Sequence, residues 1–551
     1  MTIQDLLQLY QTRLSELQAA PRSRYRTSRL ERFYRRAIER VQGNWAGNGA
    51  TGEEFIDPAH IYANDLNVFG EGSLFELLCT ARTANGRRGL AEYLLQIPAL
   101  DETLARQEAV RELQARTDLR ERIAVLGEFE FQESKWETFA EWLDSPPFHF
   151  SPTLRIAAFI TSSLLAAIAV GALAGLIPWR TAGDWMVPLV GFHSVVGLIF
   201  RERANRMAGL VRPVSIETQV LKEGLRLLEE TEFQSVKLRR LADRVRNSSK
   251  SVRKLERLVN ALNERNKEWF YGPSLYLLIG TQLCMAIEAW RIKNGAALRV
   301  WLDAWAEFEA LNALANYAYE NPENTFPEFS IEEAVFEADA LGHPLLARES
   351  CIPNDVRLNR NCRFYVVSGS NMSGKSTLLR AIGLNALLAF AGAPVRARAL
   401  RLSRLSVCAS LSVVDSLLNG KSKFLAEMDR LRQTLETAND TPVLFLIDEI
   451  LSGTNSHDRR VASEAVVRTL VDRGAVGVLS THDLALSEIA DIEELRGMNV
   501  HTGSREGGGP LDFDYLLKPG VTTETNALEI ARMAGVPIPI DTRAAKELIY
   551  P

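Results

Sequence analysis

The strongest constraint on the fold of this chain is a glycine-rich loop between a strand-like run and a helix-like run. The apolar, β-branched run FYVVSG leads directly into GSNMSGKST at residues 369–377, and TLLRAIGLNALLAFAG follows with helical character. A match to G-x-x-x-x-G-K-[ST] in this setting predicts a loop whose backbone N–H groups cradle phosphates. We therefore expect an α/β nucleotide-binding domain in the C-terminal part of the chain.

Each residue type in this loop has a chemical reason. Gly369 and Gly374 permit the backbone conformations that turn N–H groups toward phosphates, and Lys375 supplies a point charge between the outer phosphates. The Ser376 hydroxyl can ligate Mg²⁺, and the N-terminus of the following helix adds partial positive charge. We predict ATP as the nucleotide and Mg²⁺ as the cofactor. The predicted nucleotide-binding loop is Gly369, Ser370, Asn371, Met372, Ser373, Gly374, Lys375, Ser376 and Thr377.

Two later strand ends carry the residues that hydrolysis would need. VLFLIDEI at 443–450 reads as a buried strand that ends in two acids. Asp448 is placed to hold the Mg²⁺ hydration shell, and Glu449 is the natural general base for the attacking water. The strand AVGVLS ends at Thr481-His482-Asp483, where a histidine can sense the γ-phosphate or orient the water. The predicted catalytic residues are thus Glu449, Lys375 and His482, and the predicted metal ligands are Ser376 and Asp448.

A long uncharged segment in the first half of the chain raises the question of a membrane. No charged residue occurs from Ile156 to Trp179, which is long enough to cross a hydrocarbon layer of ~30 Å as a helix. A short turn follows, and then a shorter run, 185–200, that contains Pro188 and His193. Arginines flank the pair, so the positive-inside rule favours a transmembrane hairpin at 156–200 with both ends in the cytoplasm. The alternative is a hairpin buried in a soluble helical domain. A third uncharged run, 269–287, is interpreted as a core helix.

Charge and cysteine usage limit the remaining possibilities. The formal net charge is -5, so any affinity for DNA has to come from local patches. Residues 22–36 carry seven arginines against one acid, and residues 237–257 carry a basic helical face opposite an apolar one. Such faces could contact DNA phosphates or anionic lipid, or could simply be solvated. The five cysteines form no C-x-x-C pair, which argues against a zinc site and favours a reducing cytosol.

The order of the motifs (phosphate loop, then Asp-Glu, then a strand-end histidine) resembles the ATP-binding-cassette-like branch of phosphate-loop ATPases. Within it, the chain resembles MutS, the DNA mismatch-repair ATPase. The similar segments are Asn371-Met372 before GKST, GKSKFLAEM at 420–428, GTNSHD at 453–458, HPLL at 343–346, PNDV at 353–356, and the helical stretches 73–113 and 307–329.

The resemblance implies further roles and also has limits. It implies a homodimer in which Ser422 reaches the γ-phosphate of the neighbouring subunit, and it makes Tyr515 a candidate for packing on adenine. Leu451-Ser452 stand where repair MutS proteins have Gly-Arg. About 60–70 residues precede the core, too few for the domains that read mismatches. With the hairpin, this pattern resembles a membrane-associated subgroup related to MutS.

The expected fold is an α/β ATP-binding-cassette-like P-loop ATPase domain at the C-terminus plus an all-α region that resembles the MutS core and carries the transmembrane hairpin. The expected domains are a basic helical segment (1–55), a first core part (56–150), the hairpin (151–203), a second core part (204–330) and the ATPase domain (331–551).

Two functions compete at this point. One is a DNA-binding ATPase that senses mismatched or structured DNA and couples ATP-driven dimer closure to its helical core. The other is a mechanical ATPase, anchored in the inner or plasma membrane with a cytoplasmic ATPase domain, that acts on a protein or lipid partner without DNA. A cassette transporter is a weaker third option, because no L-S-G-G-Q-like signature occurs and two spans make a poor pathway.

Overall fold

The structure is a computed structural model of the 551-residue chain. It describes residues 2–19, 24–126, 142–146, 152–211, 215–264, 276–331, 333–370, 372–411, 423–452, 455–505, 512–522 and 533.

The first part of the described chain is helical. Its helices are α1 (Ile3–Ala19), α2 (Arg24–Val41), α3 (Leu74–Leu78), α4 (Ala84–Leu95), α5 (Leu100–Ala115), α6 (Thr117–Ala124), α7 (Pro152–Leu173), α8 (Trp179–Val211), α9 (Ser215–Glu230), α10 (Val236–Arg244), α11 (Ser248–Glu264) and α12 (Ile279–Glu320). The helical region predicted ahead of the ATPase domain is therefore confirmed. The stretch predicted as helical from 73 to 148 is broken into shorter helices up to residue 126.

The 42-residue helix α12 is the axis of this region. At 1.5 Å per residue it is about 63 Å long. Its C-terminal half is almost entirely buried and packs on α4 and α5. Two glycines permit the closest approach, because a Cβ at Gly86 would lie 2.1 Å from the Glu309 carboxylate and one at Gly89 would lie 2.6 Å from the Ala306 carbonyl oxygen. These contacts explain the glycine at position 86 in a stretch that resembles the MutS core.

The C-terminal part is an α/β domain with two sheets. Its strands are β1 (Glu328–Ser330), β2 (Phe336–Leu341), β3 (Asn354–Leu358), β4 (Phe364–Ser368), β5 (Ala399–Ser403), β6 (Ser406–Ser410), β7 (Val443–Asp448), β8 (Val476–Thr481), β9 (Gly497–His501) and β10 (Lys518–Pro519), and its helices are α13 (Lys375–Ala391), α14 (Lys423–Asp440) and α15 (Ser456–Asp472). The smaller sheet has the order β1-β5-β2-β3, and the larger one has the order β10-β9-β4-β8-β7-β6.

The larger sheet positions the site. Strands β9, β4, β8, β7 and β6 run parallel, and only β10 is antiparallel to its neighbour. Strands β4 and β8 are buried throughout, and β7 up to its last residue, as their continuous apolar sequences predict for strands covered on both faces. Their carboxyl ends meet at one edge, which brings Ser368, Asp448 and Thr481 side by side. The predicted α/β domain is confirmed.

The α/β domain rests directly on the helical core. The helix that follows the phosphate loop, α13, packs on α4 and α5, which in turn pack on α12. Arg380 of α13 donates to the Asp65 carbonyl oxygen at 3.0 Å, and Arg430 of α14 donates to the His60 carbonyl oxygen at 2.6 Å. Buried side chains of both regions form one continuous apolar core. A displacement of α13 would therefore meet packed helices rather than a flexible linker.

The apolar hairpin consists of α7 and α8 and is largely uncovered by the rest of the described chain. Two stretches, Thr153–Leu173 and Trp179–Phe200, are long and apolar enough to span a membrane. Leu165, Ile168 and Val196 are buried, but many other large apolar side chains are between 38% and 81% exposed: Ile156, Phe159, Ile160, Leu164, Val170, Leu173, Leu176, Trp179, Trp185, Val187, Phe192, Val195, Leu198 and Ile199. These exposures do not fit a hairpin buried within the described chain. Its location in a membrane stays a proposal.

Polar side chains of the hairpin face the start of α12. The buried His193 ring contacts the Tyr276 carbonyl oxygen at 2.7 Å and the Thr161 hydroxyl at 2.9 Å. Gln282 of α12 donates to the Ser162 hydroxyl at 2.8 Å. The uncharged run 269–287 thus enters α12 at residue 279, in agreement with a core helix, while residues 269–275 lie outside the described part.

Candidate nucleotide site

The phosphate loop connects β4 to α13 as its sequence predicts. Gly369 (φ 151°) and Gly374 (φ 97°) both have backbone angles that favour glycine. A Cβ at position 369 would lie 2.7 Å from the Thr502 carbonyl oxygen, and one at 374 would lie 3.0 Å from the Tyr515 ring. Gly374 ends the loop, and no side chain caps the N-terminus of α13. The first N–H groups of this helix therefore point into the site without an internal partner.

Lys375 lies at the centre of the loop with only 5% of its surface exposed. Its Nζ donates to the carbonyl oxygens of Gly369 at 3.0 Å and Ser370 at 2.9 Å, and it lies 3.2 Å from Nε2 of His482. Burial lowers the pKa of Lys375, while the nearby carboxylates of Asp448 and Glu449 act to raise it. The ammonium group is thus held at the mouth of a loop that can receive phosphate oxygens.

The Ser376 hydroxyl and the Asp448 carboxylate converge at the end of β7. Ser376 Oγ donates to Asp448 Oδ2 at 2.5 Å, and Ser480 donates to the other oxygen of the same carboxylate. Hydroxyl and carboxylate oxygens are the hard ligands that Mg²⁺ takes, and Mg²⁺ beside a phosphate usually keeps several waters and only one or two protein ligands. The described residues contain no group of three or more His, Cys, Asp or Glu side chains that could hold a metal ion. The Ser376 and Asp448 oxygens are of the ligand type that Mg²⁺ takes.

Glu449 turns away from the strand immediately after Asp448. Its φ of 52° lies in the left-handed region, which costs a non-glycine residue about 1 kcal/mol or more. Its backbone N–H donates a hydrogen bond to the Ser480 carbonyl oxygen at 3.1 Å, and its carboxylate lies 3.2 Å from Nε2 of His482. Burial and the adjacent Lys375 lower the pKa of His482. A neutral imidazole therefore lies between a lysine and a carboxylate that remains partly exposed to water.

One cavity of about 560 Å³ joins these groups. Predicted residues that line it are Met372, Gly374, Lys375, Ser376, Thr377, Asp448, Glu449, His482 and Tyr515. Gly369 and Ser370 contribute carbonyl groups to Lys375, whereas Ser373 is fully buried and its hydroxyl bonds to Thr502 at 2.6 Å. Ser373 therefore supports the loop and does not present its side chain to the cavity. Asn371 and Ser422 lie outside the described residues.

Residues before β4 and after β9 complete the walls. Tyr515 is 44% exposed and lies against Gly374 at the mouth of the cavity. Asn354, in the segment PNDV, donates to the Tyr515 carbonyl oxygen at 2.9 Å and accepts from the Leu517 N–H at 2.7 Å. His343, in the segment HPLL, also lines the cavity, and burial lowers its pKa to about 4. Both segments, which resemble segments of MutS in sequence, lie beside the phosphate loop.

Three supporting residues were missed by sequence reasoning. Ser480 and Thr502 hold Asp448 and Ser373, and their signal was only their position at the ends of β8 and β9. Glu427, inside GKSKFLAEM, is buried and accepts a hydrogen bond from the Leu451 N–H. This bond ties the signature helix α14 to the turn that carries Glu449. Leu451 itself is 1% exposed with φ 55°, an angle that favours glycine.

The two basic stretches differ in their surroundings. On α10 and α11 the apolar face is buried as predicted. Lys237 does not belong to an open basic face, because its side chain is only 11% exposed and lies between Glu102 at 2.5 Å and Glu307 at 2.7 Å. Exposed basic residues without an ion pair among the described residues remain there: Arg239, Arg240, Lys250, Arg253, Lys254 and Arg257. In the first stretch, α2 turns Arg29, Arg32 and Arg36 toward a cavity. The arginines of α2 therefore do not form a basic surface that only faces solvent.

Comparisons with known proteins agree with this geometry. A family model, MutS domain V, matches residues 365–549. DNA mismatch repair protein MutS 2 of Halobacterium salinarum is 32% identical over 280 residues, which is 50% of this chain and 31% of the relative. DNA mismatch repair protein MutS of Lactobacillus gasseri is 30% identical over 238 residues, 41% of this chain and 27% of the relative. The alignments thus cover about three tenths of the length of these relatives.

Proposed function

This chain belongs to the MutS family through its C-terminal domain, and from that premise we propose that it binds and hydrolyses ATP in the cavity between β4, β7 and β8. The observation that carries the proposal is the convergence of Lys375, Asp448, Glu449 and His482 on one cavity, each at the end of a parallel strand or the start of α13. The relatives' role in mismatch repair is the family-level context of this ATPase.

The residues of the cavity have separate tasks in this proposal. Lys375 and the first N–H groups of α13 bind and orient the phosphates and stabilise charge on the transferred group. Ser376 and Asp448 hold Mg²⁺, which when bound neutralises phosphate charge. Glu449 accepts the proton of the attacking water, and His482, kept neutral by its low pKa, donates or accepts a hydrogen bond at the γ-phosphate. The ring of Tyr515 packs on adenine at the mouth.

The test of this assignment is Glu449→Gln. Because glutamine keeps the shape but cannot take a proton, we expect ATP binding within about twofold of the parent and a loss of turnover of roughly 100-fold or more. Glu436→Gln, an exposed position on α14, is the matched control and should change neither property. Turnover that persists in Glu449→Gln would remove this residue from the role of base.

We further propose that the active unit is a homodimer. Ser422 would complete the partner's site, while Glu427 of α14 accepts a hydrogen bond from the turn after Glu449 in its own chain. A mixture of Ser422→Ala and Lys375→Ala chains tests this, because a mixed dimer retains one intact composite site. We expect the mixture to regain turnover that neither variant has alone; no gain after subunit exchange would contradict a shared site.

Closure of the nucleotide site would be transmitted through packed helices. The support for this is the continuous contact of α13 with α4 and α5, and of these helices with α12, whose first turn touches the hairpin. We propose that the hairpin anchors this assembly in a membrane, in the manner expected of a membrane-associated MutS-related subgroup with a cytoplasmic ATPase domain. The exposed apolar faces of α7 and α8 support this proposal.

DNA remains the second candidate partner, since the exposed arginines and lysines of α10 and α11 offer a surface for phosphates. If DNA binds there, the logarithm of the affinity should fall linearly with the logarithm of the salt concentration. Arg253→Gln combined with Lys254→Gln should reduce that slope by about two. A slope near zero in the parent chain would favour the alternative, a membrane-anchored mechanical ATPase with a protein or lipid partner.

A further inference from the structure

A second cavity, separate from the nucleotide site, is lined by arginines. It lies among α2, α6, α12 and the segment 79–87, and its volume is about 370 Å³. Arg29, Arg32, Arg36, Arg40, Arg82 and Arg87 line it, together with Arg120, and none of its described lining residues is a carboxylate. None of these residues lines the nucleotide cavity. A concentration of cations in so small a space is expensive unless anions balance it.

Two of these arginines pair with carboxylates that do not line the cavity. Arg40 makes a two-point contact with Glu320 at 2.6 and 2.7 Å, and Arg87 lies 3.7 Å from Glu54. Arg120 differs from these two, because its side chain forms no ion pair among the described residues. Arg120 is 2% exposed, lies 3.8 Å over the Tyr319 ring and donates once, to Asn316 at 3.2 Å. Its Nε and Nη2 have no hydrogen-bond partner among the described residues.

The arginines also act on one another. Burial and the adjacent Arg29 lower the pKa of Arg82 to about 10, and burial together with Arg32 and Arg40 lowers the pKa of Arg36. Arg82 Nε is likewise buried without a hydrogen-bond partner among the described residues. Because guanidinium groups keep their proton near pH 7, the cavity retains its positive charge. An anion inside would satisfy the buried donors and remove this repulsion.

The chemistry of the walls indicates the class of anion. The planar fork of a guanidinium matches two oxygens of one phosphate, and several forks in one cavity suit a ligand with more than one phosphate charge. The volume lies in the range of small-molecule pockets and is too small for a duplex. Asn312 adds a buried Oδ1 without a partner among the described residues, which can accept from an N–H or O–H of the ligand.

We propose that this arginine cavity is a binding site for a small phosphate-bearing ligand with two or more phosphate charges. The site explains the unusual sequence of α2, where Arg29, Arg32, Arg36 and Arg40 recur at three- and four-residue spacing and so share one face of the helix. It also joins α2 to α12, the helix that reaches the hairpin. The proposal does not depend on ATP hydrolysis at the other cavity.

Pyrophosphate binding by isothermal titration calorimetry tests the proposal. The full-length chain carries Lys375→Ala, so that the phosphate loop contributes little. We expect saturable binding to this protein, at least tenfold weaker after Arg36→Gln and unchanged within twofold after Arg239→Gln, an exposed arginine on α10. Arg36 meets solvent at the mouth of the cavity, so its replacement should leave the fold intact.

A second variant tests whether the buried donors of the cavity bind the ligand. Arg120→Met removes the buried donors, and the rise in melting temperature that pyrophosphate causes should disappear while the variant still unfolds cooperatively. No heat and no thermal shift at millimolar pyrophosphate would overturn the proposal, as would equal binding in the parent and Arg36→Gln. Loss of duplex-DNA affinity in Arg36→Gln without any pyrophosphate binding would assign α2 to DNA and overturn it too. Pyrophosphate binding by the Lys375→Ala chain, together with no ATP hydrolysis by the parent chain, would contradict the proposed function alone.

Discussion

The sheet of the ATPase domain and the hairpin are both apolar in sequence, but their side chains end in opposite surroundings. The apolar residues of β4, β7 and β8 are at most 5% exposed, and the only polar groups of these strands cluster where the strands end at the nucleotide cavity. In the hairpin, Leu176 is 81% exposed and Leu198 is 70% exposed, whereas the polar His193 is buried. The apolar side chains of the sheet are thus covered by other parts of the same chain. The hairpin combines a buried polar cluster around His193 with a broad exposed apolar surface, as expected of a protein surface in lipid.

The largest expected effect concerns the polar edge of the sheet. Asp448→Asn removes a charge from the Ser376–Asp448–Ser480 set while preserving its shape. Mg²⁺ contributes several kcal/mol to the stabilisation of charge in the transition state. We therefore expect the activation free energy to rise by about 4 kcal/mol, which lowers turnover roughly 1000-fold. Steady-state phosphate release measures this, with Asp472→Asn at the exposed end of α15 as the control. Turnover within tenfold of the parent would mean that Asp448 does not hold the metal.

A matched pair of leucines tests the difference in burial. Leu446→Ala in β7, where the side chain is fully buried, should lower the free energy of unfolding by about 2–5 kcal/mol. Leu198→Ala in α8 should lower it by less than about 0.5 kcal/mol in detergent, because that side chain has few protein neighbours to lose. Chemical denaturation of both variants checks the pair. Equal losses would show that the hairpin packs against protein after all.

A matched pair of valines tests what the exposed face contacts. Val187 on α8 is 72% exposed and Val461 on α15 is 57% exposed. An arginine near the centre of a membrane span costs about 2.5–3.5 kcal/mol, so Val187→Arg should reduce the membrane-bound fraction strongly. Val461→Arg should leave it unchanged. The readout is the fraction that sediments with membranes after a high-salt wash; a parent chain released by salt alone would contradict the anchor.

The smallest effect concerns a buried carboxylate inside the helical region that supports the sheet and meets the hairpin. Glu309 of α12 accepts hydrogen bonds from Thr83 and from the Arg82 N–H, and burial raises its pKa to about 7. Since this pKa is raised above the unfolded value, stability from the neutral acid is present below about pH 4.5 and is lost as the pH rises through 7. Between pH 5 and 8 this loss amounts to about 2 kcal/mol. Glu309→Gln should flatten the pH dependence of unfolding; an unchanged slope would show that Glu309 does not titrate there.

The site was predictable from sequence to the extent that it consists of local motifs. Lys375, Asp448 and His482 each follow a short apolar strand, and parallel strands in one sheet bring such ends together. The contribution of Asn354 was not predictable, because it clamps the Tyr515 segment 161 residues away. Long-range contacts of this kind leave no periodic pattern in the chain.

The two basic stretches show that the spacing of charged residues does not by itself predict whether a helix face is exposed. The spacing of Lys237 predicts an exposed face, which was wrong because two acids from α5 and α12 cover it. The arginines of α2 do share a face, but that face is turned toward α6 and α12. A helical pattern states which residues lie together and cannot state what the face meets. The same limit applies to the hairpin and the sheet. Hydropathy shows that the side chains of both avoid water, but it does not show whether protein or lipid covers them.

The most direct test of the account is the release of inorganic phosphate from ATP by the purified full-length chain, measured with Mg²⁺, with Mg²⁺ removed by EDTA, and in a Lys375→Ala variant. The account predicts turnover that requires Mg²⁺ and falls to background in Lys375→Ala. Phosphate release that is absent in the parent chain, or that is the same in parent and variant, would contradict it.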